Sequence, residues 1–73
     1  MRTLYRNADG SGRLELLERF DFNLVLEMRA HREGKTAAFG HVWRRDNRED
    51  IQAAKDLSEA IAQWAAFHES RLT

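Results

Sequence analysis

Three histidines, three serines and no cysteine set the limits of the chemistry open to this chain of 73 residues. His41 lies in a stretch of strand-like alternation, and His68 follows Trp64 by one helical turn. A strand packed under a helix would bring these two imidazoles toward each other, which is the beginning of a metal site or an acid–base pair. Spacing places no third ligand, so both are expected to border the core with their ring nitrogens satisfied locally. His31 falls in a turn. The nucleophile candidates are Ser11, Ser58 and Ser70, and none sits in the sharp strand-to-helix turn that activates a serine. Asp9, Glu15, Glu18 and Asp21 are spread over turn and strand with nothing to desolvate them, and no glycine-rich phosphate loop leads into a helix and lysine. The expectation is a chain that is not an enzyme, with no catalytic residues, no metal ligands and no cofactor.

The most specific spacing is in Asn7-Ala8-Asp9-Gly10-Ser11-Gly12-Arg13-Leu14-Glu15-Leu16-Leu17-Glu18. Oxygen-bearing side chains fall at its first, third, fifth and twelfth positions, a glycine at the sixth and an aliphatic residue at the eighth. This stretch, residues 7–18, resembles the calcium loop of EF-hand proteins, and the resemblance implies calcium held by Asn7, Asp9, Ser11 and Glu18. It departs from that family in Asn7 at the first position, in the six residues that stand where an incoming helix belongs, and in the period-two pattern that follows the glycines. On its residues alone the stretch reads as a glycine-rich hairpin with no calcium response.

Basic side chains gather twice: Arg29, Arg32 and Lys35 around one turn, and Arg44, Arg45 and Arg48 before a helix. Sheets that expose arginine can bind RNA. Glu33, Asp46, Glu49 and Asp50 are interspersed among them, however, and twelve Lys and Arg balance twelve Asp and Glu over the chain. Without a net positive field, nucleic acid is the second choice of partner, and anionic membranes are not expected.

These residues must be held by elements that the pattern makes legible. From Phe20 to Ala30 the even positions are Phe20, Phe22, Leu24, Leu26, Met28 and Ala30, with mostly polar residues between them, which is strand alternation. Thr36 to Arg44 reads as a further strand. A two-residue Glu33-Gly34 turn sets paired positions to sum to 67, so Met28 faces Phe39, Leu26 faces His41 and Leu24 faces Trp43. The opposite face, with Val25, Glu27 and Arg29, reads as solvated. Thr3 to Arg6 and Arg13 to Leu17 flank the Asn7–Gly12 turn residues. Because Leu14 and Leu16 share the parity of Phe20 to Ala30, residues 13–30 read as one long strand bent near Glu18 and Arg19. Ile51, Ala54, Leu57, Ala60, Ile61, Trp64, Ala65 and Phe67 recur at helical spacing, with Asn47 as N-cap, giving a helix over 48–70.

The predicted architecture is α+β: a single domain over 1–73, with an antiparallel meander of three strands (2–6, 13–30 and 36–44) and one C-terminal amphipathic helix packed on one face. Leu26, Met28, Phe39, Trp43, Leu57, Ile61 and Trp64 should be buried together. The absence of cysteine, of a signal-like N-terminus and of a long apolar run points to the cytoplasm. Elimination then leaves a non-catalytic protein-interaction domain, such as a regulator, an adaptor or a phage-type inhibitor that occupies a partner's surface. The last strand carries no charge or proline from Thr36 to Trp43 to protect its edge. Thr36, Ala38, Gly40 and Val42 are therefore the candidate edge for antiparallel pairing with a second copy in a six-stranded sheet, unless His68 to Thr73 folds back over them or a different protein adds a strand there.

Overall fold

A computed structural model of the chain describes residues 1–72. Strands β1 (Arg2–Asp9), β2 (Gly12–Glu18), β3 (Leu24–Arg32) and β4 (Lys35–Trp43) are followed by helix α1 (Arg48–Leu72). The sheet is an antiparallel meander in the order β1-β2-β3-β4, so every strand pairs only with its neighbours in sequence. The α+β class is as predicted, with four strands in place of three.

The extra strand comes from residues 19–23, where the long strand predicted over 13–30 breaks and reverses. Phe22 takes a positive φ of 67°, its N–H donates to Arg19 O at 2.9 Å, and Arg19 N–H donates to Asn23 O at 2.9 Å. Asp21 Oδ1 accepts the Asn23 N–H at 3.0 Å, a side-chain-stabilised turn of the kind aspartate favours. β2 then runs back against β3 with Leu14 opposite Met28 and Leu16 opposite Leu26, so the large residues stay on one face as their parity required.

The β3–β4 hairpin has the predicted register, with Leu24 opposite Trp43, Leu26 opposite His41 and Met28 opposite Phe39. Glu33 and Gly34 both take positive φ, 54° and 74°, the backbone that matches a two-residue turn to strand twist. β1 reaches Asp9, three residues beyond the predicted end, because Asp9 pairs with Gly12 across a Gly10-Ser11 turn and accepts the Ser11 N–H at 2.7 Å. Gly12 has a φ of 152°, and a Cβ there would collide with the backbone carbonyl of Arg29 on β3. A register shift between Thr3 and Tyr5 bulges β1 at Leu4.

Helix α1 begins where the sequence placed it. Asn47 Oδ1 accepts the Asp50 N–H at 2.9 Å, and the Asp50 carboxylate accepts both the backbone N–H and Nε of Arg44, at 2.9 and 2.8 Å. Arg45 N–H donates to Asn23 Oδ1 at 2.9 Å, and its guanidinium lies 5.9 Å from the Phe22 ring centroid. The helix start is thus tied to the end of the sheet and to the β2–β3 turn. Residues His68 to Leu72 continue the helix and do not fold back over β4; Thr73, the end of that expected fold-back, lies outside the described residues.

The predicted core does not close. Among the described residues only Leu17 and Trp43 are buried hydrophobics, at 7% and 8% exposure. Met28, Phe39, Leu57, Ile61 and Trp64, all expected inside, are exposed, as is Phe67. Leu17 comes from the sheet face expected to be solvated, where register sets it between Thr3 and Val25. Helix α1, about 37 Å long, approaches closely only β4, so its apolar stripe does not close over the sheet. The Cα radius of gyration is 14.7 Å, against about 11 Å for a compact chain of this length.

Candidate interaction surface

Where α1 stands off the sheet, the two apolar faces wall an open groove of about 680 Å³. The sheet contributes Tyr5, Leu14, Leu16, Leu24, Leu26 and Trp43, one apolar face drawn from all four strands. The helix contributes Ala54, Leu57, Ser58 and Ile61, all from its first fourteen residues. The only side-chain hydroxyls on these walls are those of Tyr5 and Ser58. Beyond Ile61 the stripe continues past the groove through Trp64 and Phe67, which are 66% and 57% exposed. The size is that of pockets that hold a few large side chains or a small ligand, with walls that offer apolar contact.

None of the residues lining the groove carries a formal charge, and the strongest charge pairing lies at the helix start. Hydrogen bonds from the Arg44 side chain and backbone hold the Asp50 carboxyl below its ordinary pKa, and Asp50 in turn raises that of Arg44. This ion pair joins the chain just after β4 to the first turn of α1. Far away at the β1–β2 turn, hydrogen bonds from the Ser11 hydroxyl and N–H lower Asp9.

The residues singled out in the sequence are distributed as follows. β4 is an edge strand, paired on one side with β3, and Thr36, Ala38, Gly40 and Val42 are exposed along it on the face away from the groove. Arg29, Arg32 and Lys35 stand near the β3–β4 turn, and Arg44, Arg45 and Arg48 follow the other end of β4, so the two basic groups are held about 25–30 Å apart by the length of the strand. Residues 7–18 form the β1–β2 hairpin. Glu18 sits opposite Arg2, with an ion pair at 3.3 Å, and lies six strand residues from Gly12, so the four oxygen positions of the calcium-loop resemblance are strung along the sheet instead of gathered.

His41 packs edge-on against Trp43 with ring centroids 4.5 Å apart, while His68 contacts Trp64 and Phe67 on its own helix. His31 Nδ1 lies 2.9 Å from Thr36 Oγ1 beside the turn. Among the described residues no group of three or more histidines or carboxylates stands close enough to hold a metal, and no helix is long and apolar enough to cross a membrane. Sequence reasoning missed Tyr5 as a groove wall; the signal is its position opposite Leu16, hidden by the bulge that breaks the parity of β1. No family model matches the chain, and neither a curated protein nor a solved structure is significantly similar to it.

Proposed function

We propose that the chain is a non-catalytic protein-interaction domain whose groove and helix stripe are covered by a protein, as in a small regulator, adaptor or inhibitor that occupies its partner's surface. The observation that carries this reading is the continuous apolar surface running from the sheet face across Leu57 and Ile61 to Trp64 and Phe67. Soluble monomers rarely leave so large a contiguous patch open, and aromatic side chains of this kind anchor interfaces. Walls with two hydroxyls and no carboxylate, imidazole, amine or guanidinium favour contact over catalysis. A reducing, cytoplasmic setting fits a chain without cysteine. Nucleic-acid binding through the arginines is the weaker reading, because the two groups stand at opposite ends of a hairpin and Arg44 is paired with Asp50.

The test is affinity capture from the native host with the wild type and Trp64→Glu, washed at low and at high salt. The expected result is a protein retained by the wild type at both salt concentrations and lost with Trp64→Glu. Retention of the same proteins by both forms would show that this surface is not the one used. Elution of nucleic acid at moderate salt would favour the phosphate-driven alternative.

A further inference from the structure

We infer that the protein covering this surface is a second copy of the chain, joined about a two-fold axis that passes near Ile61, so that Trp64 and Phe67 from the C-terminal half of each helix enter the other copy's groove. This rests on the interaction reading above and names its partner. Area is the first argument. The chain exposes 6385 Å² for a mass of 8.5 kDa, whereas surface scales with mass to about 4,700 Å² for a folded monomer of that size. The excess is about 1,700 Å² per copy, and twice that lies within the roughly 2,000–5,000 Å² buried by obligate homodimers.

Placement on the helix is the second argument. Ile61 is close to the midpoint of Arg48–Leu72. Every helical residue that walls the groove lies at or before it, and the exposed aromatics Trp64 and Phe67 lie after it. A two-fold axis at that point carries Trp64 and Phe67 of each copy over the sheet of the other. One self-complementary contact then fills both grooves and covers both stripes, as an isologous interface requires. A zero net charge offers no long-range repulsion between copies. Pairing through the β4 edge, by contrast, would leave the groove and both aromatics in water.

The absence of cysteine makes the axis directly testable. Helices that cross in contact lie 8–10 Å apart between axes, which brings facing Cα atoms near the axis within disulfide reach. Ile61→Cys is therefore expected to form a covalent dimer in high yield under mild oxidation, and Ala8→Cys, on the far side of the sheet, to remain uncross-linked. Sedimentation equilibrium at micromolar concentration should return twice the 8.5 kDa mass for the wild type and for Val42→Lys. Ile61→Glu and Trp64→Glu should return the monomer with the circular dichroism of strand and helix retained. A wild-type monomer would overturn the self-pairing and leave the interaction reading to the capture test. A dimer broken by Val42→Lys but not by Ile61→Glu, or one in which Ile61→Cys fails to cross-link, would overturn this interface.

Discussion

Gly12 and Asp50 each fix a junction of the fold, and they act by different physics. At Gly12 a side chain would have to share space with the Arg29 carbonyl in the neighbouring strand, at a φ of 152° that L-residues rarely adopt. Gly12→Ala should lower unfolding free energy by on the order of 2–4 kcal/mol. Gly10→Ala, two residues away, meets nothing within 4 Å, and should change stability by less than about 0.5 kcal/mol. Denaturant titration of both variants checks the contrast. Asp50 acts through charge: its folded pKa lies below the ordinary 3.8 because Arg44 binds the ionised form. A depressed carboxylate contributes stability above the unfolded pKa and loses it as pH falls through the folded value. The wild type should thus lose part of its stability below about pH 4. In Asp50→Asn that part of the acid limb should be absent, with the loss already present at neutral pH. Thermal melts from pH 2 to pH 7 would decide this, with parallel acid limbs in the two proteins as the contrary result. Neither residue's role was fully open to sequence reading. Asp50 was legible as one of the acids interspersed among the arginines, but its bond to Arg44 depends on the turn of the chain between β4 and α1.

At the scale of elements, the β3–β4 hairpin, β4 and the helix were legible, because the Glu33-Gly34 turn and the two periodicities agree with one another. The break at residues 19–23 was not, and the reason is arithmetic. β2 and β3 pair at positions that sum to 42, as in Leu14 with Met28, and an even sum keeps even residues on one face whether the chain goes straight or turns back. Parity is blind to such a reversal; the available signal was Asp21 and Asn23 bracketing Phe22, a turn chemistry hidden among large apolar residues. The groove was half legible. Leu14, Leu16, Leu24, Leu26 and Trp43 share a face by pattern alone. That the helix would stand off them was not legible, because periodicity gives which faces are apolar and not the distance between them. Trp43 is where the elements meet, at 8% exposure at the end of β4. Trp43→Ala should cost about 3–5 kcal/mol, most of the stability of a domain this small. Trp64→Ala, at 66% exposure, should cost the dilute, unpaired chain less than about 1 kcal/mol. Equal losses in chemical denaturation would mean that the second tryptophan is also inside.

The whole molecule is an incomplete enclosure: a four-stranded sheet and a helix that among the described residues bury two hydrophobic side chains, Leu17 and Trp43, and leave an apolar channel between them. Its sheet order, β1-β2-β3-β4, has a kinetic meaning. Every strand pairing joins neighbours in sequence, so no long loop has to close before the sheet can form. Hairpins of this kind assemble on a scale of microseconds each. The sheet is therefore expected to appear in a first phase whose rate does not depend on protein concentration. In the proposed dimer, sealing the channel against a second chain is a collision, and its rate would rise in proportion to concentration. Stopped-flow refolding followed by tryptophan fluorescence should separate the two, with Trp43 reporting on the early phase and Trp64 on the late one. If every phase kept the same rate over a tenfold dilution, the order of events would be wrong. The interval between the phases is also when the bare edge of β4 and the open channel are exposed together. On the proposed pairing, the rate of encounter with a second copy sets the time available for aggregation.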